Sequence, residues 1–341
     1  MSYKISLSPS GEIFDAKPSE TILEAAIRAG ITIPFGCQNG SCGACKSKII
    51  SGNVFLEGYQ TSALNNSEVA DGWTLCCKAL ATADLVIETR VALDEGLMSP
   101  KVTPVRIEAL EKLNHDTMKM TLKLPGNELL GFRAGQYLEF IMKDGSRRAF
   151  SIASPPSEPL IELHLRLIEG GKFTHFVFNE MQERTIHRIE APIGQFYMRK
   201  SDKPIIFVSG GTGFAPIKSV IEDMIESKNT RPIFLYQGVK SEEDLYMNEI
   251  CKLWESKYAN IKYIPIFSNP SEDDNKIIRR GFVHSAVIED FETLSDVQVY
   301  CCGAPILVET AFLEFTKKKS LPENEFYADV FSFSPPKATS E

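Results

Sequence analysis

Apolar and polar residues alternate at Tyr3, Ile5 and Leu7, and the alternation resumes at Ile13 after Ser10 and Gly11, which predicts an opening hairpin. Thr21 and Glu24 have capping-box spacing, so a helix is expected through residues 25–29, ended by Gly30. Period-two alternation over residues 118–124, 136–142 and 161–167 predicts half-buried strands and, between Val105 and Met198, a small antiparallel barrel. From Pro204 the strands change character. Continuous apolar runs at 205–208, 233–236, 263–267 and 297–301 are each followed by a helix-capable stretch, the pattern of a parallel α/β sheet covered on both faces.

These changes divide the chain into residues 1–91, a linker at 92–102 where periodicity lapses near Gly96, residues 103–200, residues 201–334 and a polar tail at 335–341. With 341 residues and 43% hydrophobic content the chain can bury sizeable cores, which excludes whole-chain disorder. A net charge of −8 argues against a nucleic-acid or anionic-membrane surface, so small molecules and proteins are the expected partners. There is neither an apolar run long enough to span a membrane nor an apolar signal core at the start. A cytoplasmic protein is expected.

Five of the eight cysteines fall between Cys37 and Cys77. In a reducing compartment such clustering points to metal or cluster ligation rather than disulfides. Cys37, Cys42 and Cys45 have the C-x4-C-x2-C spacing of a plant-type 2Fe-2S centre, and Gly36, Gly40 and Gly43 let the backbone amides approach sulfur. Structural zinc fits the four-residue gap poorly. For the fourth ligand, the adjacent Cys76 and Cys77 are both candidates.

Arg148-Ala149-Phe150-Ser151 combines a cation for a pyrophosphate, an aromatic ring and a hydroxyl, which suits a flavin seat, although a barrel strand can carry the same residues for packing alone. His164 and Arg166 follow, then Gly170-Gly171-Lys172-Phe173-Thr174, a glycine turn opening a helix whose first amides can hold phosphate. Further on, the strand at 205–208 leads into Gly210-Gly211-Thr212-Gly213 and a helix start, a dinucleotide site that departs from G-x-G-x-x-G. Cys301, Cys302 and Gly303 end the next predicted parallel strand, where ligands sit in open parallel sheets. Near residues 238–246 only Lys240 could meet a ribose phosphate, which favours NADH over NADPH. His115, His175, His187, His284, Cys251 and Cys301 read as structural residues, and the charge runs at 272–274 and 317–319 as solvated surface.

In this order the motifs resemble the ferredoxin–NADP reductase superfamily, and over nearly the whole chain the bacterial iron-sulfur flavoprotein reductases of the CDP-6-deoxy-Δ3,4-glucoseen reductase-like kind. Residues 7–11, 213–218, 281–284 and 326–331 carry the fuller likeness. The resemblance implies a multidomain α+β and α/β fold: an N-terminal β-grasp plant-type ferredoxin, an antiparallel β-barrel binding FAD, and a C-terminal parallel α/β domain binding NAD(P)H. It selects Cys77 as the fourth ligand, since Cys77-Lys78-Ala79 is similar to the plant-type ferredoxin ending. It also implies that Arg148, Ala149, Phe150, Ser151, His164, Arg166, Gly171, Lys172 and Thr174 serve FAD. Gly211, Thr212, Gly213, Cys302 and Gly303 would serve the nicotinamide nucleotide, and Phe331 would shield the flavin ring. Ser151, Cys302 and Phe331 are the expected catalytic residues.

The implied activity is electron transfer from NADH through FAD and the cluster to a partner, either a pyridoxamine-phosphate dehydrase of deoxysugar formation or an oxygenase component. A stand-alone NAD(P)H:flavin or dye reductase and a redox sensor with a structural cluster are the competing readings.

Overall fold

A computed structural model describes residues 2–31, 33–35, 38, 40, 43–61, 63–89, 98, 100–269 and 279–331. The chain forms two compact units, residues 1–99 with 330–341, and residues 100–329. Gly36, Cys37, Cys42, most of the expected linker, the 272–274 charge run and the tail lie outside the described residues.

In the first unit the expected hairpin forms from β1 (Tyr3–Ser8) and β2 (Ile13–Ala16). Helix α1 (Ile22–Arg28) starts at a complete capping box: Thr21 Oγ1 accepts from Glu24 N–H at 3.2 Å, and Glu24 Oε2 accepts from Thr21 N–H at 2.7 Å. The helix buries Ile22, Leu23, Ala25 and Ala26. Then come β3 (Lys46–Ser51), β4 (Val54–Leu56), α2 (Asn66–Ala70), β5 (Trp73–Leu75), β6 (Ala79–Ala81) and β7 (Leu85–Glu88). The main sheet runs β2-β1-β7-β3-β5, with β1 and β7 parallel, and β4 pairs with β6. This is the β-grasp arrangement, with α1 packed on the sheet's apolar face.

The second unit opens with β8 (Lys101–Lys112), so the strand begins inside the expected linker. Pro104 stands within this strand. It is tolerated because residues 101–105 pair with one neighbour only, leaving one side of the strand without ladder bonds. Next are β9 (Thr117–Lys123), β10 (Tyr137–Ile141), β11 (Arg147–Ser151), β12 (Leu160–Arg166), α3 (Lys172–Asn179) and β13 (Ile186–Ile193). Their order is β11-β10-β13-β8-β9-β12, and a bridge between Ile152 and Leu163 closes the sheet into a barrel. Met118, Met120, Leu122, Ile161, Leu163 and Leu165 alternate inward, as their spacing requires.

The nucleotide lobe comprises β14 (Ile205–Gly210), α4 (Phe214–Glu226), β15 (Ile233–Val239), α5 (Asn248–Lys257), β16 (Ile261–Phe267), β17 (Arg279–Arg280), α6 (Val283–Asp290), β18 (Gln298–Gly303), α7 (Pro305–Lys319) and β19 (Phe326–Val330). The sheet order is β17-β16-β15-β14-β18-β19. Parallel ladders join β14 to β15 and β18, and β15 to β16. The segment after α7 therefore adds a further strand beside β18, one the apolar-run pattern did not reveal. No described helix is long and apolar enough to cross a membrane.

Candidate functional site

Of the expected cluster ligands, Cys45 and Cys77 are described and lie together. Cys77 N–H donates to Cys45 Sγ at 3.4 Å, and both residues are buried. The neighbouring Cys77 sulfur and burial together push the Cys45 thiol far up, so a free thiolate is disfavoured here unless a metal centre takes up its charge. Cys76 points elsewhere: its thiol donates to Ser47 Oγ at 3.3 Å, and Ser47 donates to Thr89 Oγ1 at 2.9 Å. Gly40, at φ +82°, lies so close to Tyr59 and Lys78 that a Cβ would stand 2.9 Å from Lys78 Cγ. A soft sulfur pair, an amide aimed at sulfur and a loop pressed against the residue after Cys77 fit an iron-sulfur cluster.

The flavin motif ends β11. Ser151 is buried, and its Oγ stands 3.3 Å from Asp329 Oδ2 on β19. Phe150 is half-buried against Phe173 (5.4 Å between centroids) and Phe140 (6.1 Å). Arg148 donates to the carbonyl of Arg147 at 2.8 Å, and Ala149 is exposed. Gly171 is the N-cap of α3, whose first intrahelical bond runs from His175 N–H to the Gly171 carbonyl. The amides of Lys172, Phe173 and Thr174 therefore precede the helical ladder and fit a phosphate.

The side chains of three residues expected to serve the flavin engage other partners in this structure. The hydroxyl of Thr174 is engaged within its own turn, accepting from Ile168 N–H and donating to the Gly171 carbonyl, both at 3.2 Å. The His164 imidazole is buried with both nitrogens engaged, Nε2 at 2.8 Å from Glu162 and Nδ1 at 3.1 Å from Tyr246 Oη. Burial, with Glu162 opposing it, lowers the pKa of His164, so Nε2–H donates to Glu162 and Nδ1 accepts from Tyr246. Arg166 reaches the nucleotide cleft, pairing with Asp116 at 2.7 Å and lying over Gly211.

That cleft is lined by Gly210, Gly211 and Thr212 on one side and by Asp116, Arg166, Lys240, Asp244 and Phe282 around its mouth. At Gly213 a Cβ would stand 2.2 Å from the Cys302 carbonyl oxygen, so the glycine loop rests directly on the end of β18. Gly303 in turn packs its backbone on Gly210. Backbone this close to the sheet end leaves room for a dinucleotide pyrophosphate at the start of α4. Cys302 is fully buried, and burial with the carboxylate of Asp329 pushes its thiol far up, so it stands there as a neutral thiol. Cys301 and Cys251 are fully buried packing residues, as expected. Phe331, half-buried, follows β19 and falls with the first unit.

Sequence reasoning missed Asp329, whose carboxylate meets the Ser151 hydroxyl and whose charge reaches the Cys302 thiol, and Tyr327, stacked on Tyr300 at 4.7 Å to seat β19. The sequence signal for both was weak, because a lone carboxylate and a lone tyrosine have no distinctive spacing.

Fold and site together define an oxidoreductase of the ferredoxin-reductase kind, with separate seats for an iron-sulfur cluster, a flavin and a nicotinamide nucleotide. Residues 5–82 match the 2Fe-2S iron-sulfur cluster binding domain, 104–197 the oxidoreductase FAD-binding domain and 207–312 the oxidoreductase NAD-binding domain. The chain is 36% identical over 332 residues to the CDP-6-deoxy-L-threo-D-glycero-4-hexulose-3-dehydrase reductase of Yersinia pestis, covering 97% of this chain and 99% of that protein. It is 33% identical to the phenol 2-monooxygenase reductase component DmpP of Pseudomonas sp. (strain CF600), covering 97% and 95%. The crystal structure of the Amycolatopsis cytochrome P450 reductase GcoB superposes with a TM-score of 0.79 at 26% identity, covering 96% of this chain and 98% of that one. The chain belongs to the iron-sulfur flavoprotein reductases, which take electrons from NAD(P)H and pass them through FAD and a 2Fe-2S cluster to a partner enzyme.

Proposed function

We propose that this chain is the NADH-dependent reductase of a pyridoxamine-phosphate dehydrase acting on a nucleotide-linked deoxysugar. The likeness over 97% of the chain to a dehydrase reductase supports that partner. The Ser151–Asp329 hydrogen bond, with the glycine loop resting on the Cys302 carbonyl, supports the electron-transfer part of the reading. When bound, the nicotinamide supplies a hydride, the flavin accepts the pair and releases electrons singly, and the cluster carries one at a time.

The chain's own residues bind and orient these groups. Cys37, Cys42, Cys45 and Cys77 hold the cluster. Arg148, Ala149, Phe150, Ser151 and the amides at 172–174 hold FAD, while Gly211, Thr212, Gly213, Cys302 and Gly303 seat the nicotinamide nucleotide and Phe331 covers the flavin. Arg166 supplies a cation to the nucleotide phosphates at the cleft mouth. Ser151 presents its hydroxyl to the reacting edge and Asp329 holds that hydroxyl in place. Asp116 and Asp244 in the cleft disfavour a second ribose phosphate, which supports NADH. The corresponding domains are residues 1–91, a linker at 92–102, residues 103–200 and residues 201–334.

The test is NADH oxidation by the purified holoprotein with and without a pyridoxamine-phosphate dehydrase charged with its sugar nucleotide. Acceleration by the dehydrase supports the reading. Acceleration only by an oxygenase component moves the partner to that class, and turnover indifferent to any protein acceptor leaves a dye reductase.

A further inference from the structure

A buried polar cluster joins the barrel to the nucleotide lobe within the second unit, and the reaction described above does not use it. Lys218, on the first turns of α4 just past the glycine loop, is buried. Its Nζ lies 2.8 Å from Glu222, 3.3 Å from Glu162 of β12 and 3.2 Å from the carbonyl of Ala153. Ser219 donates to the Ser154 carbonyl at 2.7 Å. From the opposite side, Ala153 N–H donates to the Glu162 carbonyl at 2.7 Å, and Glu162 N–H donates to Ser154 Oγ at 3.0 Å. Glu162 also receives His164, which in turn receives the Tyr246 hydroxyl from the loop after β15.

Residues 153–154 lie two and three positions after Ser151, and Lys218 stands on the helix that the glycine loop expected to hold the nicotinamide nucleotide opens. A buried cation shared between Glu222 of its own helix, Glu162 of the barrel and the Ala153 carbonyl has few alternative geometries, because moving the helix away from the barrel strips the Glu162 carboxylate and the Ala153 carbonyl of this cation. We propose that Lys218, held by Glu162, is the positioning residue that fixes the Ser151 segment against the nicotinamide loop, and so sets the approach of the two reacting rings. The inference deepens the functional reading and rests on it.

The experiment uses FAD-loaded protein with Lys218→Met, Lys218→Arg and Tyr246→Phe. Lys218→Met slows flavin reduction by NADH about 10- to 100-fold, the scale of a misplacement of roughly an ångström, with little change in KM. It also weakens the long-wavelength charge-transfer band formed on reduction, and Lys218→Arg restores much of both. In the flavin-free protein, amides 152–154 exchange hydrogen faster in Lys218→Met than in wild type. Tyr246→Phe keeps the packing and produces a smaller change of the same kind, which covers the case of a poorly folding Lys218→Met. Unchanged reduction rate, charge-transfer band and exchange in the folded variants overturn the inference alone. A wild type that does not reduce its flavin with NADH overturns the functional reading and the inference with it.

Discussion

Ser151 and Asp329, far apart in the chain, meet side chain to side chain at 3.3 Å, so the end of the flavin motif and the last strand of the nucleotide lobe share one hydrogen bond. If Ser151 presents its hydroxyl to the flavin's reacting edge as proposed, Ser151→Ala is expected to slow flavin reduction by NADH about 10-fold or more. Asp329→Asn keeps a partner for the hydroxyl and loses less. Stopped-flow bleaching of the flavin absorption checks the order; equal rates in wild type and Ser151→Ala would refute the role.

The two adjacent cysteines are expected to separate cleanly. Cys77→Ser loses the 2Fe-2S centre, while Cys76→Ser keeps it, because the Cys76 thiol faces Ser47 and the Cys77 amide faces Cys45. Iron and acid-labile sulfide analysis decides this. Cys42→Ser is expected to abolish transfer to protein acceptors and to spare NADH-dependent dye reduction through FAD.

Gly213→Ala forces a methyl against the Cys302 carbonyl, 2.2 Å away in the present geometry. The loop must lift, at a cost of about 1–3 kcal/mol in stability and with weakened NADH binding. A lower Tm together with a raised KM for NADH is the expected pair of results; a normal KM would show that the loop does not hold the nucleotide.

Burial opposes ionisation of Glu162, but the hydrogen bond with His164 and the charge of Lys218 prevail and hold its pKa down at about 2. A depressed carboxylate contributes stability above its unfolded value of 4.5 and loses it as pH falls toward about 2. Wild type should therefore lose thermal stability across that window, and Glu162→Gln, less stable near neutrality, should lose less there. Parallel Tm–pH curves for the two proteins would contradict the ion-pair account.

Local pattern reached far in this chain. The capping box at Thr21 and Glu24, the period-two strands of the barrel and the apolar runs of the parallel sheet were all legible, because each depends on neighbours within a few residues. The start of β8 at Lys101 was obscured by Pro104, whose effect depends on which neighbouring strand is present. His164 and Thr174 lay inside the motif and still turned inward, since their partners, Tyr246 and the Ile168 amide, depend on how the chain folds back.

Cysteine spacing by itself determined the iron-sulfur chemistry, and the motifs together with the family they resemble determined the flavin and nicotinamide seats and their order, because ligand spacings, glycine loops and sheet patterns are properties of short segments. Only the tertiary structure decided which distant atoms face one another: Asp329 at Ser151, Cys76 Sγ at Ser47, Lys218 at Glu162 and Ala153. Those pairings join residues distant in the chain, and their geometry is set by the packing of whole sheets and helices, which no local spacing encodes.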